Sequence, residues 1–367
     1  MLHRSSAWPL ALLYAALIAF ASLFPFSGWR DQELSWWAIL TQPLPPQYWT
    51  GFDVGSNVVG YVPLGFLLGL GMVRAGASHR AIVLAWLLGT LWSLTMESVQ
   101  LYLPRRVPSN LDLCLNSAGA ALGGALAWLL HRLGGVQRWE TFRERWFGSA
   151  GQSGGVALLL LWPWALLFPA ALPLGLGQIW PRLLQQLQDW LTGTPFAVWL
   201  PAAPTPGVTL APLSALFYVA IGLLVPCLLG HVLVAHIGRR MVLSVLLALV
   251  AVAVSALSTT LGYGPEQAWA WVSLPVTLGW ALGLGAALGL ALLRWQWSAV
   301  VLLLGLMLQL HGLNHMPPSP YFAQTLQTWE QGRFVQFYGL GQWLGWLWPY
   351  ATLVYVAARL TQRPQGS

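Results

Sequence analysis

The 367-residue chain is 57% hydrophobic and only 7% charged, with a mean hydropathy of +0.63. This composition excludes an ordinary soluble globular domain and places the chain among polytopic membrane proteins. Its net charge of +7 comes from arginine, since no lysine is present. Anchoring beside anionic lipid accounts for that charge without nucleic acid.

A spanning helix needs roughly 20 mainly apolar residues. By that rule the sequence predicts an all-α, polytopic transmembrane helix bundle of about ten spans, at Trp8 to Phe26, Phe52 to Val73, Ala81 to Leu103, Leu111 to Leu133, Gly155 to Leu174, Leu213 to Ile237, Met241 to Thr259, Trp269 to Leu293, Trp297 to His311 and Gln336 to Ala358. The first has features of a signal peptide, with Arg4 ahead of the apolar run and Ala19-Phe20-Ala21 resembling a cleavage site. The run continues through Phe24 and Phe26, which favours an uncleaved helix.

Arginines set the orientation. With the N-terminus in the cytoplasm, 12 of them fall inside, and Arg30, Arg105, Arg106, Arg182 and Arg333 fall outside, which predicts an N-in, C-in protein. The chain divides into a four-helix region over residues 1–133, an Arg-rich cytoplasmic linker over 134–154 and a six-helix region over 155–367. In the longest outer connection, Trp180 to Leu191 predicts a helix lying on the membrane surface. Pro201, Pro204 and Pro206 then favour extended chain.

The second to fourth spans carry nearly all the acidic and amide side chains placed at membrane depth: Asp53, Asn57, Glu97, Gln100, Asp112 and Asn116. A charged group there costs on the order of 2.5–3.5 kcal/mol on insertion scales, so such groups face a protein interior or a water cavity and mark function by default. Asp53 stands at the outer mouth of the second span, with Asn57 one turn, about 6 Å, deeper. Gly89, Ser93, Glu97 and Gln100 share one stripe of the third span; Asp112, Asn116, Gly119 and Gly123 share one of the fourth. The polar groups therefore gather in the outer half of the membrane, beneath a short connection carrying Arg105 and Arg106.

Two readings of this constellation stay open. In one, Glu97, Asp112 and Arg106 form an internal ion-pair network that fixes helix packing, with Asn57, Gln100 and Asn116 satisfying one another and the loop backbone. In the other, the arginine forks receive an anionic headgroup, because guanidinium matches phosphate or carboxylate bidentately, and the carboxylates orient the arginines or handle a proton.

The run Asn57-Val58-Val59-Gly60-Tyr61-Val62-Pro63-Leu64-Gly65-Phe66, then Glu97-Ser98-Val99-Gln100, Pro104-Arg105-Arg106 and Asp112-Leu113-Cys114-Leu115-Asn116-Ser117-Ala118-Gly119, resembles the VanZ-like family of membrane proteins. The resemblance covers roughly Leu10 to Leu133. The family pattern sets an arginine six positions before the aspartate, which selects Arg106, and Ser109 stands where many relatives carry an acidic residue. The resemblance implies a multi-pass protein of a bacterial inner membrane with a cell-envelope role, linked to low-level resistance to teicoplanin, a lipoglycopeptide.

The expected partner is a membrane lipid or lipid-linked envelope molecule, held in the outer leaflet through Arg106 and its neighbours, with no cofactor. Lipid transport with Glu97 titrating is the alternative. An intramembrane enzyme on lipid-linked phosphate ranks last, since the sequence has no P-loop, Rossmann fingerprint or nucleophile elbow.

In the C-terminal region His231 and His236 are five apart, off a common helical face, and read as ordinary interfacial histidines near the cytoplasm. His311 and His315 have i, i+4 spacing but precede Pro317-Pro318, where a helix is expected to be ending. The stretch from Pro320 to Phe334 reads as a short amphipathic element, which either covers the constellation as a lid or packs at the membrane interface. Cys114 and Cys227, within predicted spans, behave as small apolar residues.

Overall fold

The computed structural model describes residues 7–23, 26, 28–33, 35, 37, 40–44, 51–104, 107–147, 152–167, 170, 172–199, 211–263, 265–315 and 335–361. The side chains of residues 52, 53, 79, 182, 185, 197, 198, 262, 263, 265 and 335–340 are not among those described. Within this set the chain is helical, with no strand. It divides into two compact units, Met1–Phe142 and Arg143–Ser367.

The first unit contains α1 (Ala7–Leu23), α2 (Gly51–Arg74), α3 (Ala81–Gln100) and α4 (Asn110–Arg132). Glycine brings α2 and α4 together. A methyl group added at Gly65 would run into the Ala120 carbonyl oxygen, and one at Gly123 into that of Val62. Small residues let backbones touch where lipid supplies no hydrophobic drive for helix association. The α3 helix joins through the same stripe, since a methyl at Gly124 would stand 2.8 Å from the Ala85 Cβ. The α1 helix closes the bundle with Ala11 and Ile18 against Tyr61, Leu64 and Leu68, and the Tyr14 hydroxyl donates to the Gly60 carbonyl at 3.0 Å.

A short amphipathic helix, α5 (Gly135–Phe147), follows. The sequence reading makes this stretch a linker. Its arginines alternate with Trp139, Phe142 and Trp146 at helical spacing, which suits a helix lying along an interface. Within the first unit Glu140 pairs with Arg74 at 3.6 Å.

The second unit contains α6 (Ser153–Leu166), α7 (Trp180–Leu191), α8 (Pro212–Leu233), α9 (Ile237–Tyr263), α10 (Leu274–Leu290), α11 (Trp295–His315) and α12 (Val335–Thr361). Every residue of α8 from Ile221 to Leu233 except Leu224 is buried, and α9, α10, α11 and α6 pack around it. The α12 helix lies against α6 and α11. The Trp348 indole N–H donates to the Leu158 carbonyl at 2.7 Å.

Three departures from the sequence reading have local causes. The fifth span, expected to run to Leu174, is helical only to Leu166. Pro173 lacks a backbone N–H, and Gly177 adopts a φ of +100°, so residues 172–179 run as irregular chain. This stretch is nevertheless buried at Leu172, Leu174 and Leu176, and irregular backbone at membrane depth is tolerated only when protein satisfies it. Gln309 of α11 donates to the Leu176 carbonyl at 3.1 Å, Asn314 donates to that of Gly177 at 3.0 Å, and the Asn314 side-chain oxygen accepts the Trp180 N–H at 2.8 Å. Secondly, α11 continues four residues past His311 to His315, and the two histidine rings lie 4.4 Å apart, tilted by 36°. Thirdly, His231, in the last turn of α8, does not face the protein surface. It is fully buried, with Nε2 3.0 Å from the Ser244 hydroxyl, while His236 is exposed.

Among the described residues six helices are long and apolar enough to cross a membrane: Val54–Arg74, Ala81–Gln100, Asn110–Arg132, Pro212–Leu233, Ile237–Leu261 and Trp295–His315. Ala7–Leu23, Ser153–Leu166 and Leu274–Leu290 are apolar but shorter. The α7 helix is of another kind. Trp180, Leu183, Leu187 and Trp190 form an exposed apolar stripe, while Leu184 faces inward.

Candidate functional site

The polar groups of the first unit meet at the end of the bundle where α2 and α4 begin and α3 finishes. Ser109 builds this corner. Its extended backbone and its side-chain oxygen, which accepts the Leu111 N–H at 3.1 Å, cap α4, the arrangement that Ser, Thr, Asp and Asn all favour. Its own backbone N–H donates to Glu97 Oε2 at 3.0 Å. An aspartate in this place would cap the helix equally well.

Glu97 is 4% exposed and so depends on that backbone donor. Asp112 lies in the first turn of α4, where the helix dipole favours negative charge. The Asn57 amide crosses from α2 to donate to Asp112 Oδ1 at 2.8 Å. One turn deeper, Asn116 donates to the Ser93 hydroxyl at 2.9 Å. Tyr61 of α2, 5% exposed, lies near Ser93, Glu97 and Asp112.

Of the sequence-predicted residues, Asn57, Glu97, Asp112 and Asn116 therefore converge. Gln100 turns away to α1, donating to the Ser22 carbonyl at 3.1 Å. The Asp53 backbone belongs to the first turn of α2; its side chain, together with Arg105 and Arg106, lies outside the described residues, as does the lid segment from Pro320 to Phe334.

Three participants escaped the sequence reading as site residues. Tyr61 sits four residues after Asn57 and Ser93 four before Glu97, so i, i+4 spacing was their signal. Asn110 gives no such signal. Its amide donates to the Gln42 carbonyl at 2.7 Å, and the Arg30 N–H and Gln32 amide reach the carbonyls of Tyr102 and Leu101. Chain between α1 and α2 thus crosses this end of the bundle. The Asn110 and Asn116 side-chain oxygens are buried and accept no hydrogen bond among the described residues, and a buried acceptor without a donor carries a desolvation penalty.

Apolar helices of spanning length, and a polar cluster enclosed among three of them, define a helical integral membrane protein. Residues 4–131 match the VanZ/LLP1 family, so the family relationship rests on the N-terminal part of the chain. Comparison with curated proteins and with solved structures gave no match. No group of three or more His, Cys, Asp or Glu side chains arranged to hold a metal ion occurs among the described residues.

Proposed function

We propose that the protein binds an anionic envelope lipid or amphiphile from the outer leaflet at the mouth of its N-terminal bundle, with Arg106 as the principal anion contact and Arg105 beside it. The observation that carries this reading is the enclosed set of Asn57, Glu97, Asp112 and Asn116 at the end of the bundle where α3 finishes and α4 begins, two helices whose connection carries both arginines in the sequence. Glu97 and Asp112 orient the guanidinium groups, and Asn110 and Asn116 supply acceptors for their N–H donors. A guanidinium then offers its remaining fork to phosphate or carboxylate.

In this reading the chain has about ten spans with both termini in the cytoplasm of a bacterial inner membrane, as the arginine distribution requires. Outer-leaflet capture accords with the lipoglycopeptide response linked to VanZ-like proteins, since such a drug meets its target on that face.

Native mass spectrometry of the wild type and Arg106→Ala, both purified in mild detergent, tests the proposal. A phospholipid or polyprenyl-phosphate adduct on the wild type that is lost from the variant is expected. Identical spectra would overturn it and leave the cluster as a packing network.

A further inference from the structure

A cavity of about 500 Å³ opens in the second unit where α8, α10 and α12 end and α6, α9 and α11 begin. Its walls bring together Arg240, Arg294 and Arg359, with no acidic residue among the described residues that line it. Arg240 is the framework. It is 5% exposed and donates to the carbonyls of Val234, Ala291 and Leu293 at 2.7, 3.1 and 2.5 Å, which caps the carboxyl end of α10.

The other two guanidinium groups are available. Arg294 is exposed and its side chain makes no hydrogen bond among the described residues. Arg359 stacks 5.6 Å over the Trp295 ring and donates one N–H to the Tyr355 hydroxyl at 3.2 Å, which leaves most of its donors unused. Gln152 also lines the cavity, and its side-chain oxygen is buried and accepts no hydrogen bond among the described residues. The site therefore presents donors for an anion and one acceptor in want of a hydroxyl. Leu292 and Ile237 add exposed apolar surface at the rim, 68% and 45% exposed.

We infer that this cavity is a second anion site, specific for a phosphate group that carries a hydroxyl-bearing substituent, such as phosphoglycerol. Arg294 and Arg359 clamp the phosphate, Gln152 accepts the hydroxyl, and the apolar rim accommodates the start of an acyl chain. The volume suits a small-molecule ligand and far exceeds a bare phosphate. The positive-inside assignment of these arginines makes it an inner-leaflet site, separate from the mouth beneath Arg106.

The test uses the full-length protein in detergent, exposed in parallel to phosphatidylglycerol, phosphatidic acid, phosphatidylcholine and glycerol 3-phosphate, with adducts read by native mass spectrometry. The wild type is expected to retain phosphatidylglycerol over phosphatidylcholine. Arg294→Gln/Arg359→Gln should reduce that occupancy by about tenfold, the loss expected for one or two charge-assisted hydrogen bonds. Gln152→Leu, which leaves every arginine in place, should weaken phosphatidylglycerol while sparing phosphatidic acid, which lacks the glycerol substituent and its alcohol hydroxyls.

Retention of glycerol 3-phosphate alone, lost in the double variant, would support the same chemistry with a soluble ester as its source. With two separate sites Arg106→Ala loses one adduct and keeps the one that depends on Arg294 and Arg359, while the double variant does the reverse, so failure at the outer mouth is distinguishable from failure here. Equal occupancy in the wild type and the double variant, or no binding of any phosphate by the wild type, would overturn the inference.

Discussion

The Asn314 side chain donates to the Gly177 carbonyl at 3.0 Å and, from its oxygen, accepts the Trp180 N–H at 2.8 Å. One carboxamide thus stops the irregular chain after α6 from exposing its backbone and starts α7. Asn314→Leu keeps the volume and removes both bonds. An unsatisfied buried backbone group costs about 1–3 kcal/mol, so limited proteolysis should cut the variant between residues 172 and 180 while the wild type resists. Equal resistance would show that Gln309 and Tyr350, which also reach this stretch, suffice alone.

At the outer mouth, Glu97 supplies the acceptor for the Ser109 N–H. Glu97→Gln retains an oxygen there, whereas Glu97→Ala strands the donor. Thermal unfolding in detergent should place the alanine variant about 1–3 kcal/mol below the glutamine variant. Coincident melting of the two would mean that this hydrogen bond is not what Glu97 contributes.

Along the α2–α4 seam, a methyl at Gly65 or Gly123 meets backbone that cannot step aside. Overpacking of this kind costs about 1–3 kcal/mol or more. Gly123→Ala should therefore lose thermal stability and detergent tolerance. Gly60→Ala, where an added methyl has nothing within 4 Å, should behave as wild type. If Gly60→Ala is equally damaged, sterics at the seam are not the cause.

The exposed stripe of α7 implies contact with lipid. In a background with Cys114 and Cys227 replaced by serine, an environment-sensitive dye at Leu187→Cys should report an apolar surrounding in liposomes, and one at Asp189→Cys, on the opposite face, an aqueous one. Matching spectra at both positions would rule out an in-plane helix.

Much of this architecture was legible because membrane helices announce themselves by length and hydropathy. Their polar members also share faces at a spacing of three or four. Asn57, Glu97, Asp112 and Asn116 could be grouped on that basis, and α7 was legible from its apolar period down to its terminal residues. The failures have a common source in long-range pairing. Nothing local marks Gln309 or Asn314 as partners of chain more than 130 residues away. Arg240, counted in the sequence as one more cytoplasmic charge, turns out to be buried and spent on three carbonyls. His231 read as interfacial because its apolar neighbours could not reveal the Ser244 hydroxyl waiting thirteen residues on.

The seam between α2 and α4 also constrains how the protein is made. Its two halves are separated in the chain by the whole of α3, so Gly65 waits for Ala120 until the fourth helix has left the ribosome and entered the bilayer. The Ser109 cap is local to α4 and needs no partner helix, whereas the Glu97 bond to the Ser109 N–H and the Asn57–Asp112 bridge each need a second helix in place, so neither bond of the mouth can exist before α4 has been made.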